Sequence, residues 1–494
     1  MKKYCKFVLA VLLFMGMCQG AAFAENGGTE SQPQLISTIE QLDQIRYQPN
    51  GNYRLENDIL IYAGSYKDGQ WVPDRRWDPI GWEQQPFTGT FDGNGHRILF
   101  SIGEDQGYGY VGLFGVVKNA CIKNVTVAAD IKANSRYAGA VAAYAEDSFF
   151  ENCVATGAIN IQYITKKDKE TSYAGGICGY AKNCTVLSCG SKCPVTINGL
   201  ADEGFYYCYA CDQYHLLPVC GGGLIGATEQ GTVSRCYAIQ EVSVSSKRYR
   251  SGAGYSCHAG GLIGINGSTV EECYATGSIF AEADYGGDSQ IYAGGLIGEN
   301  EGNVCNSYTS GSIMAKYGLG LSYVHGQGMN SRMSAMPSYV FSRTGLMVGD
   351  NRGNLEKCYA SGTGISAFRD EQSEDGGSQT FRAGFTFVRY YGEDEGPYLN
   401  HGTYQNCYSI REYVDSEINA DPHNRRYPTS SRDLKTTNSH FCTPQDLEEI
   451  IPMKTIAQLQ DKSTYEAWDF QSVWDISAER NDGLPYLRNN NLYQ

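Results

Sequence analysis

Beyond its first residues, this sequence has little that would place it in a membrane or on a nucleic acid. No later apolar run reaches the roughly 18 residues that a membrane-spanning helix needs. Lys and Arg number 39 against 54 Asp and Glu, a net charge of −15, which argues against a nucleic-acid groove or an anionic membrane surface. Prolines are few, at 14, whereas glycine (59) and tyrosine (37) are abundant. This composition is typical of many short strands separated by tight turns.

Sequence signatures of catalysis are also missing. The chain has no H-E-x-x-H zinc peptidase motif, no G-x-S-x-G nucleophile turn and no G-x-x-x-x-G-K-[ST] phosphate loop. These absences argue against a zinc peptidase, an α/β-hydrolase and a P-loop nucleotide hydrolase.

The first 24 residues predict export. Lys2, Lys3 and Lys6 precede an apolar stretch that ends in Ala22-Phe23-Ala24, the A-x-A pattern of a signal peptidase site. We expect 1–24 to be a signal peptide and the mature protein to be secreted, extracellular or held at a cell surface. Cys18 would be the acylated residue of a lipoprotein, but the preceding Met is larger than that processing normally accepts.

A repeated phrase dominates the middle of the chain. Each unit has three short β-prone pieces, which resemble GGLIG, V-x-x-C-Y-A and G-x-I-x-A and are too short for helices. The units are GLFGVVKNACIKNVTVAADI from Gly112, GAVAAYAEDSFFENCVATGAI from Gly139, GGICGYAKNCTVLSCGSKCPVTI from Gly175, GGLIGATEQGTVSRCYAIQEVSV from Gly222, GGLIGINGSTVEECYATGSI from Gly260, GGLIGENEGNVCNSYTSGSI from Gly294, TGLMVGDNRGNLEKCYASGTGI from Thr344 and a degenerate eighth over 404–410.

Three strands and three corners per unit predict one coil of a right-handed parallel β-helix. Alternate side chains would point into a narrow core, and equivalent positions of successive coils would stack in rows. Glycines at the corners would supply positive φ or close backbone approach. Two predicted inward rows are Leu262, Leu296 and Leu346, and Val233, Val270, Val304 and Leu355.

Both ends of such a solenoid need caps, because open strand edges and apolar core would otherwise be exposed. Capping-box spacing occurs at Ser37/Glu40 and Thr38/Gln41, which predicts a short N-terminal helix. The segment 455–459 has the same features of a short capping helix and precedes the aromatic residues Trp468, Phe470 and Trp474. The expected organisation is a signal peptide (1–24), a flexible N-terminus (25–34), a cap with the first coils (35–111), repeats with insertions (112–410), an irregular loop (411–445) and a C-terminal cap (446–494). The predicted fold class is therefore all-β, a solenoid with short helical caps at both ends.

The phrase GGLIGxNxGxVxxCYATGxI resembles the GLUG motif, a repeat of bacterial secreted and surface proteins that include adhesin-like proteins and some IgA-cleaving metallopeptidase precursors. The resemblance covers roughly 112–410 and is strongest in the units from Gly260 and Gly294. The resemblance implies a β-helical exported protein and is not tied to a known activity.

One slot of the repeat holds cysteine in nearly every unit. We interpret these residues as unpaired, buried and inert thiols, since packing is the usual reason for a buried cysteine, and disulfides between neighbours are the alternative. The members are Cys153, Cys189, Cys236, Cys273, Cys358 and Cys407, with Ser307 standing in for one of them.

Two short segments suggest metal sites. Cys208, Cys211, His215 and Cys220 have the residue types of a tetrahedral zinc site. Disulfides or plain thiols are the favoured alternative because the chain is predicted to be exported. The segment 91–96, FDGNGH, lacks the further oxygen ligands of a calcium loop and predicts a turn instead. No other cofactor is expected.

Insertions between the third piece of one unit and the GG of the next all fall at the same corner. In a solenoid this places them along one edge, where loops on a rigid scaffold usually bind partners. They are rich in tyrosine, which gives large contact area at low entropic cost. The candidate binding residues are Tyr206, Tyr207, Tyr209, Tyr214, Tyr249, Tyr255, Tyr317, Tyr323 and Tyr339.

Other tyrosines occupy fixed repeat slots and are expected to stack structurally. One slot holds Tyr137, Tyr173 and Tyr292, and another holds Tyr237, Tyr274, Tyr308, Tyr359 and Tyr408.

The sequence thus predicts a non-catalytic surface or secreted protein that binds a glycan or a protein through its insertion edge, as an adhesin does. The first alternative is a polysaccharide-degrading β-helix enzyme, which would need paired carboxylates on neighbouring coils. Acidic residues of the repeats stand singly, as at Glu271, Glu272, Asp350 and Glu356, and we interpret them as solvated. The second alternative is a structural spacer in a surface assembly, which predicts a featureless edge.

Overall fold

The computed structural model describes residues 28–61, 64–67, 70–73, 77–103, 109–165, 171–201, 217–247, 255–284, 290–318, 341–362, 364–369, 378–382, 389–390, 397–398, 403–410, 440–441, 453–465 and 467–489. Within these ranges three long sheets, built mainly of parallel strands, wind around one apolar core.

The three sheets run side by side along the molecule. The first sheet contains Tyr110–Val111, Tyr137–Gly139, Ser172–Gly175, Leu217–Gly222, Tyr255–Gly260, Gln290–Gly294 and Phe341–Gly345. The second sheet contains Gln34–Ile36, Asn52–Leu55, Thr90–Asp92, Phe114–Lys118, Cys121–Lys123, Ala142–Glu146, Phe149–Glu151, Cys178–Leu187, Ile225–Ser234, Ile263–Glu271, Ile297–Asn300, Asn303–Cys305, Val348–Asn351, Asn354–Glu356 and Thr403–Gln405.

The third sheet completes each coil. It contains Ile59–Leu60, Arg97–Ile102, Thr126–Ala133, Val154–Thr165, Gly190–Lys192, Val195–Ala201, Tyr237–Ala238, Val242–Lys247, Tyr274–Ala275, Ile279–Asp284, Tyr308–Thr309, Ile313–Gly318, Tyr359–Ala360, Gly364–Arg369, Ser378–Arg382, Tyr408–Ile410 and Met453–Lys454. Small antiparallel pairings lie outside the coils: Gly64–Lys67 with Gln70–Pro73, Arg389–Tyr390 with Pro397–Tyr398 and His440–Phe441, and Trp474–Asp475 with Tyr486–Leu487.

Strand alternation builds the core. Along Thr126–Ala133 every second side chain is buried and the others are exposed or half-buried. Successive coils are in register, so that Val233 pairs with Val270 and Val270 with Val304. Both predicted inward rows are buried. The predicted parallel β-helix is therefore confirmed.

Two kinds of corner turn the chain from one sheet to the next. At the GG corner between the first and second sheets, glycine is required by close approach, because a Cβ on Gly260 would lie 1.8 Å from the Ile263 carbonyl oxygen. At the corner between the second and third sheets, a residue other than glycine takes the left-handed conformation. This corner residue has φ of 55° at Arg235, 54° at Glu272 and 47° at Asn306.

The cysteine row follows this second corner and has a definite hydrogen-bonding role. The Cys189 backbone N–H donates to Cys236 Sγ at 3.4 Å, and the Cys236 N–H donates to Cys273 Sγ at 3.4 Å. Where the row breaks, the Cys273 N–H donates to Ser307 Oγ at 3.1 Å. In these coils the slot holds a small side chain that accepts a hydrogen bond, which sulfur and hydroxyl both provide. The row cysteines are buried free thiols, as expected.

Short helices lie at both ends. Helix α1, Ile39–Gln44, begins at Thr38, whose side chain and that of Gln41 form the predicted capping box. Helix α2, Ile456–Leu459, begins at Thr455 with a second capping box. Single-turn 3₁₀ helices span Ile45–Tyr47, Lys462–Thr464 and Asn481–Gly483.

The C-terminal segment also covers a tyrosine ladder on the third sheet. Tyr274, Tyr308 and Tyr359 stack in nearly parallel pairs 5.1–5.2 Å apart. Trp474 packs 6.1 Å from the rings of both Tyr308 and Tyr359 and is fully buried. The Trp468 ring lies 4.4 Å from that of Trp474. The tyrosines of this slot therefore have the structural role that their repetition predicts.

Both ends of the insertions line up along one edge. Third-sheet strands end at stacked positions, since Thr165 pairs with Ala201 and Asp284 with Gly318. First-sheet strands begin at stacked positions, since Leu217 pairs with Tyr255. The predicted common corner is therefore present, although Val154–Thr165 extends further toward the insertion than the repeat phrase suggested. The last predicted insertion, 367–381, includes parts of the antiparallel strands Gly364–Arg369 and Ser378–Arg382.

Replacing Trp474 by Ala tests the C-terminal cap. Because Trp474 is fully buried against the tyrosine ladder, W474A should lower the free energy of unfolding by about 3–5 kcal/mol. The matched control is W82A, since Trp82 is 44% exposed and should cost much less. Urea unfolding followed by tryptophan fluorescence measures both variants, and equal losses would contradict the role assigned to Trp474.

Two substitutions of Cys236 test the hydrogen-bonding role of its slot. C236S keeps an acceptor for the Cys189 N–H and should change stability little, because Ser307 performs the same role naturally. C236V keeps the apolar bulk but leaves that buried N–H unpaired, which should cost about 1–3 kcal/mol. Urea midpoints distinguish them, and a C236V protein as stable as C236S would refute the assignment.

Candidate functional site

The outer faces of the first and second sheets meet at a corner that we call the outer corner. The first sheet contributes one row of register partners: Tyr110, Tyr137, Tyr173, Cys220, His258, Tyr292 and Arg343. The second sheet contributes the facing row: Val116, Tyr144, Tyr180, Ala227, Ile265, Glu299 and Asp350. Because the first-sheet row follows the points where the insertions return, the outer corner lies beside the insertion edge.

The early coils give the outer corner an aromatic half. Tyr137 and Tyr173 stack at 5.5 Å, as do Tyr144 and Tyr180 at 5.6 Å on the facing sheet. The two stacks meet edge to face, with Tyr173 and Tyr180 5.0 Å apart at 73°. Burial raises the pKa of Tyr144 to about 12, so its hydroxyl stays neutral. The ring faces are occupied by one another, and this half is structural.

The later coils give the outer corner a charged half. Arg352 Nη1 lies 2.8 Å from Glu299 Oε1, and its Nη2 lies 3.2 Å from Asp350 Oδ2. Arg343 pairs with Asp350 and lies over the Tyr292 ring at 5.0 Å. Asp350 is only 1% exposed, so the expectation that it is solvated is wrong. The reason is contact across the corner, because Arg343 of the first sheet and Arg352 both pack against this carboxylate.

Neighbouring coils do bring two carboxylates together here, because Glu299 and Asp350 are register partners. Burial alone would raise the pKa of Glu299, but His258, Arg352 and Arg343 outweigh it and hold that pKa below its usual range. A general acid for glycoside cleavage needs a raised pKa. This pair is therefore an ion-pair network around Arg352 and does not support acid/base cleavage of polysaccharide.

A polar chain leads from the insertion edge into the charged half. Ser256 Oγ lies 2.7 Å from His258 Nε2, and His258 Nδ1 lies 3.1 Å from Glu299 Oε2. The His258 ring stacks on Tyr292 at 4.4 Å with 5° between the planes. Ser256, His258 and Glu299 are 3%, 6% and 8% exposed.

Sequence reasoning missed these three residues. The signal was available in the alignment of the units. His258 stands at a position that holds tyrosine in other units. Glu299 and Asp350 follow GGLIG-like phrases, and the same position holds Ala227 or Ile265 in other units. That the two slots face each other depends on how the two sheets meet in the folded chain, which spacing along the sequence does not reveal.

Most of the predicted binding residues lie outside the described residues: Tyr206, Tyr207, Tyr209, Tyr214, Tyr249, Tyr323 and Tyr339. Tyr255 begins the strand Tyr255–Gly260, and Tyr317 lies in Ile313–Gly318. Their binding role stays a prediction.

Of the predicted zinc ligands, Cys208, Cys211 and His215 also lie outside the described residues. Cys220 is fully buried in the outer-corner row, and burial raises the pKa of its thiol well above the usual value. Within the described part of the chain, no group of three or more His, Cys, Asp or Glu side chains is placed to hold a metal ion. The zinc site stays a prediction.

The segment 91–96 forms the expected turn. It joins Thr90–Asp92 to Arg97–Ile102, and the Asn94 N–H donates to Asp92 Oδ1 at 2.9 Å. Asn94 and Gly95 have φ of 50° and 81°, which suits a tight reversal.

Comparison with known proteins supports the repeat assignment. The GLUG motif model matches residues 255–279. A curated "Putative Gly-rich membrane protein" of Evansella cellulosilytica is 34% identical over 127 residues, which cover 25% of this chain and 14% of that protein. Halomucin of Haloquadratum walsbyi is 30% identical over 118 residues, which cover 23% of this chain and 1% of that protein. The chain thus spans a small part of the length of either relative.

A solved structure, described as "a putative immunoglobulin A1 protease from Bacteroides ovatus", shares 16% identity with this chain at a TM-score of 0.37. The superposition covers 94% of this chain and 95% of that one. Among the helices that the structure describes here, none is long and apolar enough to cross a membrane.

Replacing Glu299 by Gln tests the ion-pair network through pH. Since its folded-state pKa is lowered, Glu299 stabilises the fold above its unfolded pKa of about 4.3, and this contribution is lost as the pH falls through the lowered value. E299Q should therefore be less stable than the wild type at pH 7, by about 3 kcal/mol, and should lose less stability on acidification.

The control is E301Q, because Glu301 contacts the same Arg352 but is 57% exposed. An exposed pair of this kind contributes about 0–1 kcal/mol. Urea midpoints between pH 7 and pH 3 measure both variants. Parallel pH curves for E299Q and the wild type would contradict the network.

Proposed function

Because this chain is a GLUG-motif repeat protein folded as a parallel β-helix, we propose that it is a surface or secreted protein that binds a glycan or a protein partner along its insertion edge. The observation that carries this proposal is the stacked register of the points where the insertions leave and return. Insertions that leave and return along one rigid edge would build a surface there, and such surfaces are where solenoids bind partners.

The two curated relatives are consistent with a location outside the cell. One is described as a membrane protein and the other as a halomucin. The proposed location of this chain is therefore extracellular or at the cell surface, after removal of 1–24.

The rival functions are less well supported by the described residues. A polysaccharide-cleaving enzyme needs a carboxylic acid of raised pKa beside a second carboxylate on a neighbouring coil. The neighbouring pair Glu299 and Asp350 is held by Arg352, and the pKa of Glu299 is lowered. Burial raises the pKa of Glu271, but its register partners on the neighbouring coils are Ser234 and Cys305. A spacer needs no polar groups beside its insertion edge, whereas the outer corner gathers His258, Glu299, Asp350 and two arginines there.

A binding screen with a loop-exchange variant tests the proposal. The variant replaces 319–340, which lies between the strands Ile313–Gly318 and Phe341–Gly345, with the shorter insertion 285–289 of the same edge. Because both insertions join equivalent strands, the exchange should leave the coils intact. Residues 25–494 are screened against arrayed glycans and extracellular proteins, and a specific partner should lose at least about tenfold in affinity for the variant.

The matched control is Leu60→Ser, which changes a side chain that is 59% exposed and belongs to an early coil. It should bind like the wild type. A partner that binds wild type and loop-exchange variant equally would move the binding surface off this insertion. No partner in the screen would favour the spacer.

A further inference from the structure

We propose that Ser256, His258 and Glu299 form a nucleophile, base and orienting acid that hydrolyse carboxylic esters. This activity goes beyond the binding function, does not depend on it, and replaces the expectation that the protein is non-catalytic. It rests on the geometry of the charged half of the outer corner.

The strand Tyr255–Gly260 places the first two members on one face. Cys257 and Ala259 point into the core and are fully buried, so Ser256 and His258 lie on the outer face. Their hydrogen bond of 2.7 Å joins Oγ to Nε2, the pairing that a serine nucleophile and its base require.

The third member comes from the next coil. Glu299 Oε2 lies 3.1 Å from His258 Nδ1, the ring nitrogen that faces away from the serine. A carboxylate beside Nδ1 favours a proton there and leaves Nε2 free to accept the serine proton. The Nδ1 contact lies at ion-pair distance without the alignment of a hydrogen bond, and such contacts often tighten only when substrate binds.

The surroundings hold this arrangement in place. The imidazole stacks on Tyr292 with 5° between the planes, which restricts its rotation. Arg352 Nη1 binds the other oxygen of Glu299 at 2.8 Å, so the carboxylate is anchored on its far side. Such support is what keeps a catalytic base in its productive orientation.

Gln290 is placed to stabilise the oxyanion. It is the register partner of Ser256 on the neighbouring first-sheet strand, about 4.8 Å away along the sheet, and its side chain lies on the same face. The Tyr292 hydroxyl donates to Gln290 Oε1, which leaves the amide Nε2–H₂ as a donor. An amide donor beside the nucleophile is the kind of group that stabilises a tetrahedral intermediate.

The reaction balances with water as the only second reactant. Ser256 Oγ attacks the ester carbonyl carbon while its proton passes to His258 Nε2. The tetrahedral intermediate collapses, the bond to the alcohol oxygen breaks, and His258 returns the proton to that oxygen. Water then attacks the acyl-serine with the same proton transfers and releases the carboxylic acid.

Among the described coils this combination occurs once. Register partners of Ser256 are Pro218 and Gln290, those of His258 are Cys220 and Tyr292, and those of Glu299 are Ile265 and Asp350. The repeat itself therefore does not require any of the three residues.

A fluorophosphonate probe tests the proposal on the full chain. Attack by Ser256 forms an Oγ–P bond, the P–F bond breaks and releases fluoride, and the serine proton passes to His258. The phosphonate therefore stays on Ser256. Peptide mass spectrometry should locate the adduct at Ser256. The variant S256A should lose this adduct, and E299Q should slow its formation at least about tenfold and shift its pH profile, because Glu299 acts only by positioning His258.

Two controls separate chemistry from structure. S278A removes an exposed serine of the same unit and should label like the wild type, and E301Q removes an exposed partner of Arg352 and should do the same. Hydrolysis of 4-nitrophenyl acetate should fall at least about tenfold in S256A and in Q290L. If the wild type carries no adduct at Ser256, or carries it at other serines alone, the proposal is overturned.

Discussion

Register between coils is the constraint on which this structure depends. Each strand of one coil must pair with the equivalent strand of the next, so a residue in any slot lies about 4.8 Å from its counterpart. Leu262 stacks over Leu296, Tyr274 over Tyr308, and Asn266 over Asn300. The effect of a substitution therefore depends on the residues at the equivalent position of neighbouring coils as much as on its neighbours in the chain.

The corners show how strictly backbone pairing is kept. The left-handed residues Arg235 and Glu272 still donate their N–H groups to carbonyls of the following coil, at 3.0 and 3.2 Å. Directly afterwards the chain turns into the third sheet, and there a cysteine or serine side chain accepts the N–H of the preceding coil. The cysteine row thus pairs backbone N–H groups at a corner, and Ser307 can take a place in it because its hydroxyl accepts the same hydrogen bond.

Much of the fold could be predicted because aligning the repeat units shows which residues occupy equivalent positions in successive coils. The inward Val233 row, the stacked tyrosines and the common insertion corner follow from aligning the units. Contacts between different slots could not be predicted in the same way. Asp350 was expected to be solvated because it stands alone in sequence, yet it lies against Arg343 and Arg352 where the outer faces of two sheets meet. Those sheets are joined at the GG corner, where glycine permits a backbone approach that no Cβ would allow.

This geometry also explains how a repetitive fold can contain a polar site in only some of its coils. In the early coils the outer corner holds tyrosines, which satisfy one another by stacking and need no charge. In the later coils the same slots hold His258, Glu299 and Arg343, which are buried to a similar depth and must instead satisfy one another by ion pairs and hydrogen bonds. The scaffold fixes where these groups lie, and the cost of burying them is offset only by mutual pairing. Three slot changes, one in each of three successive coils, therefore suffice to convert a structural corner into a preorganised polar site, with no change in the fold.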